Sequence, residues 1–135
     1  IHPITPGIDT TLFSPVINEQ TIQKEPISIL FLSHVEPRKG VFTLLDAFEI
    51  VNKYLDSCQL IIGGAGTALE EVKQRISAMS CGSKISLLGK VERDQVPQLM
   101  RQCTVFCLPS YGEPFGMSVL EAMACGKPVV ATGAG

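Results

Sequence analysis

Two glutamates lie eight residues apart near the carboxy-terminal end of the chain, Glu113 in a loop and Glu121 in a helical stretch. At about 1.5 Å rise per residue, that spacing separates the carboxylates by on the order of 12 Å at most. Carboxylates at this separation can bind the two hydroxyl-rich groups of one sugar nucleotide, the hexose and the ribose. Taken alone, the spacing is also explained by two solvated glutamates near a helix start, which the helix dipole stabilises. Glu121, however, lies among apolar residues, where a carboxylate needs a protein or ligand partner.

The segment between the two glutamates adds a candidate site for a diphosphate. A helix is predicted over residues 115–124, so its first backbone N–H groups belong to Phe115, Gly116 and Met117. The free N–H groups and the positive dipole end of a helix start bind phosphate. A glycine at Gly116 lets the backbone approach a ligand closely.

Alternating strands and helices are predicted to position these residues. Continuous apolar runs predict buried strands at residues 27–33, 59–63, 85–88, 104–108 and 129–132. Helical spacing predicts helices at residues 41–55, after Thr67, after Asp94 and at 115–124. The alternation predicts an α/β fold with a doubly wound, Rossmann-like parallel sheet. In such a sheet, ligands bind beyond the carboxyl ends of the strands.

The helix ends carry recognisable signals. Thr67 and Glu70 fit a capping box at the start of the second helix, and Asp94 fits the N-cap of the third. Gly126 fits the glycine that follows the end of the fourth helix. Residues 1–26 contain four of the nine prolines and predict a linker segment, followed by a single domain over residues 27–135.

Composition and charge argue against several classes of function. Hydrophobic residues make up 45% of the chain and charged residues 18%, which is typical of a folded α/β domain. The net charge of −2 gives no basic footprint for nucleic acid. No apolar run reaches the roughly 20 residues that cross a bilayer, and no signal peptide is visible. We therefore expect a cytoplasmic protein, with any membrane association supplied by a domain that this chain lacks.

The cysteines predict reduced thiols and no metal site. The chain has five cysteines, an odd number, scattered among apolar residues. Buried, reduced thiols of a cytosolic protein account for this pattern. A zinc site requires paired short spacings, and Cys103 with Cys107 has no second pair to match.

The residues around the two glutamates resemble a known signature. Residues 109–132 fit P-S-x-x-E-x-F-G-x-x-x-L-E-A-M-A-x-G-x-P-V-V-A-T. The stretch is similar to the E-x7-E signature of the retaining GT-B glycosyltransferases of family GT4 (glycosyltransferase group 1). Other segments agree in order, namely residues 6–9 with Phe13 and Pro15, then residues 37–40, 61–66 and 87–91. The resemblance implies a truncated carboxy-terminal, nucleotide-sugar-binding domain and covers nearly all 135 residues.

The resemblance also implies roles for individual residues. Glu113 contacts the donor hexose, and Lys39 neutralises the diphosphate as the nucleotide departs; these two are the catalytic candidates. Glu121 holds the ribose hydroxyls, backbone groups at 115–117 face the sugar and phosphates, and the 90–91 backbone meets the base. The donor-binding candidates are Glu121, Phe115, Gly116, Met117, His34, Gly64, Gly66, Lys90 and Val91. No cofactor or metal is implied, and the substrate is a UDP-, GDP- or ADP-linked sugar.

Two departures from the family pattern affect these expectations. The family has Gly-Arg where this chain has Ser33-His34, so a second cation for the diphosphate is replaced by a histidine. The acceptor-binding amino-terminal domain is absent from the chain. We therefore expect no transfer by the chain alone, and self-association through apolar surface near its carboxy-terminal end.

Two alternative functions remain. A non-catalytic nucleotide-sugar-binding module, or a degenerate transferase, is compatible with His34 at the diphosphate position. An NAD-dependent oxidoreductase is suggested by Gly64-Ala65-Gly66 before a helix. In that second reading, the third glycine of the dinucleotide fingerprint falls at Leu69, and the turn follows the second strand instead of the first.

Overall fold

A computed structural model describes residues 7–16 and 26–133, within which one parallel sheet is flanked by helices. The strands are β1 (Ile27–Leu32), β2 (Cys58–Gly63), β3 (Ile85–Gly89), β4 (Val105–Leu108) and β5 (Val129–Ala131). The helices are α1 (Val41–Val51), α2 (Leu69–Ala78), α3 (Val96–Gln102) and α4 (Met117–Ala124). Short 3₁₀ turns at Pro37–Lys39 and Gly82–Lys84 precede α1 and β3.

The strand order is β3-β2-β1-β4-β5, and every neighbouring pair is parallel. In the centre, Leu30 of β1 pairs with Ile61 of β2 on one side and with Phe106 of β4 on the other. The order reverses between β1 and β4, and open α/β sheets bind ligands at such a switch point. The predicted doubly wound parallel sheet is confirmed, and each strand end lies within one residue of its predicted position.

Helices cover both faces of the sheet. Leu30 and Phe31 are consecutive residues of β1, so their side chains point to opposite faces, and both are 0% exposed. The contacts of α1 with α2 and of α3 with α4 fit two helical layers on opposite faces. Phe48 of α1 and Met100 of α3 are fully buried. Burial of a side chain of this size contributes about 1.5–3 kcal/mol to folding.

The start of α2 is fixed by backbone hydrogen bonds and not by the predicted capping box. The N-cap residue is Ala68 and no side chain caps the helix, so the prediction for Thr67 and Glu70 is wrong. The Ala68 N–H instead donates to the Val35 carbonyl at 3.0 Å, and the Val35 N–H donates to the Ala65 carbonyl at 3.0 Å. This pairing joins the loop after β1 to the loop after β2, and it fixes the helix start without a side chain.

Two further helix ends differ from the predicted ones. The N-cap of α3 is Gln95 and not Asp94, because a turn closed by the Gln95 N–H and the Glu92 carbonyl at 3.0 Å precedes the helix. Helix α1 ends at Val51, four residues earlier than predicted. The chain turns there, which leaves Leu55 43% exposed and not on the inner face.

The predicted linker segment, residues 1–26, is described at residues 7–16 and 26, and the remainder of that prediction lies outside the described residues. Within it, the Asp9 carboxylate accepts hydrogen bonds from the Thr11 and Leu12 N–H groups at 2.9 and 3.2 Å. The neighbouring Phe13 side chain is buried in the core. This part of the segment therefore packs on the domain.

Self-association through apolar surface near the carboxy-terminal end stays a prediction. At that edge of the sheet, Val130 of β5 is 58% exposed.

All five cysteines are free thiols. Burial raises the pKa of the Cys103 thiol to about 11, so this thiol stays protonated at neutral pH.

None of the helices in residues 7–16 and 26–133 has the length and apolar character required to cross a membrane.

Gly40 lies where the loop after β1 meets the loop after β4. Its φ is +76°, and a Cβ there would lie 1.8 Å from the Pro109 carbonyl oxygen. We expect Gly40→Ala to lower the free energy of unfolding by about 2 kcal/mol or more, through backbone strain and the clash. Urea denaturation measures the change. Gly112→Ala is the control, since a Cβ there meets nothing within 4 Å. Equal stability of the two variants would contradict the prediction.

Candidate functional site

A cavity of about 650 Å³ opens beyond the carboxyl ends of β1 to β4, at the switch point of the sheet. The predicted site residues that line it are Lys39, Glu113, Glu121, His34, Gly64, Lys90, Val91, Phe115, Gly116 and Met117. Ala65, within the predicted 64–66 turn, also lines it, and the lining residues that sequence reasoning did not assign to the site are Leu32, Ser33, Gly63, Arg93, Val96, Pro114 and Ser118. The fold thus brings segments from four loops to one cavity.

Gly66 is the predicted site residue that does not line the cavity. A Cβ at Gly66 would lie 2.3 Å from the Val35 carbonyl oxygen, so this glycine permits the close packing of two loops. Gly64 does line the cavity, with φ +137° and a Cβ position 1.8 Å from the Ser33 carbonyl oxygen. The turn that contains both glycines follows β2. A dinucleotide-binding turn would follow the first strand, so the topology does not favour that reading.

Lys39 and Glu113, which both line the cavity, form an ion pair. Lys39 ends the 3₁₀ turn after β1, is 7% exposed, and donates from Nζ to Glu113 Oε2 at 2.6 Å. Partial burial raises the pKa of the Glu113 carboxyl, but the hydrogen bond and charge of Lys39, together with the Gly116 N–H and the charge of Arg38, outweigh it and lower the pKa below its ordinary value. A short, charge-assisted hydrogen bond therefore fixes both side chains.

The loops that carry this ion pair are fastened to each other nearby. The Tyr111 N–H donates to the Arg38 carbonyl at 2.8 Å. The Tyr111 hydroxyl lies 2.5 Å from Thr43 Oγ1 at the start of α1. With the close approach at Gly40, these contacts hold the loop after β4 against the loop after β1.

The start of α4 differs from its prediction in a way that affects anion binding. The helix begins at Met117 and not at 115, because Gly116 is the N-cap in a left-handed conformation with φ 69°. The Gly116 N–H donates to Glu113 Oε1 at 3.3 Å. A carboxylate thus lies at this helix start. No side chain caps α4, which leaves the first-turn amides of Met117 and Ser118 without a capping oxygen.

The carboxy-terminal end of α4 confirms its prediction. Gly126 has φ 72°, and its N–H donates to the Met123 carbonyl at 2.9 Å. The Lys127 N–H donates to the Ala122 carbonyl at 3.1 Å. This pair of hydrogen bonds is the Schellman motif, which ends a helix at a left-handed glycine.

Glu121, which also lines the cavity, is paired with a residue that sequence reasoning missed. The glutamate is 3% exposed, and Arg93 Nη1 lies 2.6 Å from its Oε1. The contact lacks hydrogen-bond geometry, so within the described part of the chain Oε1 is a buried acceptor without a hydrogen-bond donor. Arg93 lies two residues beyond the turn motif at 87–91, and its position after a strand was the available signal.

Comparison with known proteins identifies the family. A family model described as "Glycosyl transferases group 1" matches residues 15–135. The chain belongs to this family. Among its relatives, mannosylfructose-phosphate synthase of Agrobacterium fabrum is 32% identical over 146 residues. That alignment covers 98% of this chain and 32% of the relative, so the chain spans about a third of that relative's length.

Solved structures of other glycosyltransferases agree with the fold. The carboxy-terminal domain of the group 1 family protein LpcC from Francisella tularensis matches with a TM-score of 0.82 and 26% identity, over 96% of this chain and 72% of that chain. HepE of Anabaena, solved in complex with UDP-glucose, matches with a TM-score of 0.80 and 29% identity, over 96% of this chain and 37% of that chain. The fold is therefore that of a glycosyltransferase carboxy-terminal domain.

The site contains carboxylates without a metal-binding cluster. Within residues 7–16 and 26–133, no group of three or more His, Cys, Asp or Glu residues is placed to hold a metal ion. The two carboxylates of the cavity instead face basic side chains, Glu113 facing Lys39 and Glu121 facing Arg93. Positive charge near both carboxylates is thus supplied by the protein.

The Lys39–Glu113 pair makes stability depend on pH. Because the pKa of Glu113 is lowered in the folded state, the pair stabilises the protein above the ordinary carboxyl pKa. That stabilisation is lost as the pH falls through the lower folded-state value. We expect Glu113→Gln to lose less stability than the unmodified protein between about pH 7 and pH 3, measured by urea denaturation at each pH.

The matched control for this prediction is Glu70→Gln, which removes an exposed glutamate paired with Lys73 on α2. Its pH dependence should stay that of the unmodified protein. If Glu113→Gln and Glu70→Gln behave alike, the Lys39–Glu113 pair does not contribute in the way described.

Proposed function

We propose that this chain binds the donor of a retaining glycosyltransferase that transfers a hexose from a nucleotide sugar to an acceptor. One observation carries the proposal: the two glutamates of the signature line one cavity at the sheet's switch point, with the start of α4 between them. Membership of the glycosyl transferases group 1 family supports it. The similar HepE structure in complex with UDP-glucose supports the class of donor.

In this proposal the diphosphate binds between Lys39 and the start of α4. The first-turn amides of Met117 and Ser118 have no capping oxygen and can donate to phosphate. Lys39 has three N–H donors, so it can hold the Glu113 carboxylate and a phosphate oxygen together. A cation and a helix dipole stabilise the negative charge that grows on the departing nucleotide. The site therefore needs no metal for this step.

The two glutamates take the two ends of the donor. Glu113, beside Lys39, contacts the hexose, and the buried Glu121 accepts hydrogen bonds from the ribose hydroxyls. The base lies against the backbone at Lys90 and Val91, and Gly64 forms the floor. Gly66 acts behind this wall by allowing the loop contact with Val35. Phe115 and Gly116 complete the wall beside the sugar.

A second domain completes the reaction in this proposal. The chain spans about a third of the length of its relative from Agrobacterium fabrum. An amino-terminal domain of the intact protein binds the acceptor across the cavity and supplies the remaining groups. Transfer needs both reactants held in one geometry, so the chain alone binds donor without turnover.

Titration of the full-length protein with UDP-, GDP- and ADP-sugars tests the proposal, and binding to none of the three contradicts it.

With the matching nucleoside diphosphate, which lacks the sugar, we expect Glu121→Ala to weaken binding about tenfold or more, because a charged hydrogen bond is lost. Glu113→Ala should weaken it less, because that residue contacts the sugar. Isothermal titration calorimetry gives both dissociation constants, and equal losses contradict the division of roles.

His34 lines the cavity where the family pattern has an arginine. We expect His34→Arg to bind an intact nucleotide sugar about tenfold more tightly at about pH 8, because arginine remains charged there and can bind phosphate through two N–H groups. Ser77→Arg adds the same charge on exposed α2, outside this cavity, and should leave the affinity unchanged. Unchanged affinity in His34→Arg would mean that this side chain does not face the diphosphate.

A further inference from the structure

Arg93 connects the cavity to the segment that precedes the sheet. It lies between β3 and α3, and its Nη1 is 2.6 Å from Glu121 Oε1. Its Cζ lies 5.2 Å from the centre of the Phe13 ring, a cation–π contact. The Arg93 side chain is 68% exposed, whereas Phe13 is buried. The buried ring therefore supports an exposed side chain.

Two hydrogen bonds hold the segment around Phe13. The Phe13 N–H donates to the Asp9 carbonyl at 2.9 Å. One residue earlier, the Leu12 carbonyl accepts a hydrogen bond from Arg101 Nη1 of α3 at 3.1 Å. These bonds tie the segment that carries Phe13 to the helix that follows Arg93.

The Glu121 carboxylate is buried, yet it retains an open acceptor position. Its Oε1 has an opposite charge at 2.6 Å but no hydrogen-bond donor in the part of the chain that the structure describes. Buried polar atoms are nearly always hydrogen-bonded, so an unfilled acceptor that lines a cavity points to a ligand donor. Arg93 thus offsets the charge from one side of Oε1, and a carboxylate oxygen has two lone pairs, so a ligand donor can be accepted beside it.

We propose that Arg93 is a positioning residue for the donor: braced by Phe13, it compensates and orients the Glu121 carboxylate so that Oε1 accepts a hydrogen bond from a ribose hydroxyl. The inference rests on the proposed function, because it takes Glu121 as the ribose-binding group. It adds a residue outside the signature and a role for the segment around Phe13.

The alternative is that Arg93 competes with the ligand for Glu121. A ribose hydroxyl is neutral, so it satisfies the hydrogen bond of the carboxylate but not its charge. A ligand that displaced Arg93 would leave a buried charge without compensation, which is strongly unfavourable. Retention of the ion pair in the complex is therefore the favoured arrangement.

The test compares a nucleoside diphosphate with its 2′,3′-dideoxy analogue on the full-length protein, using UDP or the GDP or ADP form that the donor titration identifies. The ratio of the two dissociation constants measures the contribution of the ribose hydroxyls. We expect the unmodified protein to prefer the hydroxylated ligand by about tenfold or more. Arg93→Gln should bring this ratio close to one, and Arg93→Lys should restore part of it, because lysine keeps the charge.

Two control variants separate this effect from general damage. Arg75→Gln removes another exposed arginine, which pairs with Asp46 outside the cavity, and should leave the ratio unchanged. Phe13→Leu should lower the ratio, because it removes the ring that supports Arg93. Phe48→Leu removes a ring of similar burial from α1 and should change stability without changing the ratio.

Each outcome decides between the proposals. If Arg93→Gln keeps the full ratio, or binds the nucleoside diphosphate more tightly than the unmodified protein, the positioning role is overturned while the proposed function stands. If the unmodified protein binds no nucleoside diphosphate, the proposed function fails and this inference fails with it. A ratio near one in the unmodified protein overturns the assignment of Glu121 to the ribose.

Discussion

The site depends first on the requirement that buried charges be paired. Lys39 is almost entirely buried, so an unpaired ammonium group there would be strongly unfavourable. Its partner, Glu113, lies 74 residues away in sequence, and the contact at 2.6 Å requires the loop after β4 to lie against the loop after β1. Gly40 permits that approach, because any side chain there would collide with the Pro109 carbonyl. The backbone geometry of the two loops and the charge pairing therefore support each other.

The strand order explains why residues from four loops meet. All strands are parallel, so every loop that follows a strand emerges at the same edge of the sheet. The reversal of order between β1 and β4 separates the helices on the two faces and leaves a crevice there. Lys39 follows β1 and Glu113 follows β4, so the two strands at the switch point carry the ion pair. Glu121 then lies on α4, in the wall of the same crevice.

Local sequence predicted the strands and the start of α1 well, and the caps of α2 and α3 and the start of α4 poorly, for a physical reason. Buried strands need continuous apolar runs, a signal carried by the strand itself. The start of α2 is decided by hydrogen bonds between Val35 and the 65–68 backbone, which no local pattern encodes. The same limit applies to the site: the signature located both glutamates, but the contacts of Arg93 with Glu121 and Phe13 join three distant segments. Gly66 was selected as a ligand contact, and its close approach to the Val35 carbonyl is a second constraint that the local sequence did not indicate.

The two glutamates are paired in different ways, and the difference bears on how a donor would enter. Both oxygens of Glu113 are already hydrogen-bonded, Oε2 to Lys39 and Oε1 to the Gly116 N–H. Glu121 has its charge compensated while Oε1 remains an unfilled acceptor. Under the proposed function, the ribose finds a prepared acceptor, whereas the sugar and diphosphate must share or replace existing bonds of Lys39 and Glu113. Binding energy from the nucleoside end is then available to offset rearrangement at the reacting end, which is how remote contacts contribute to catalysis.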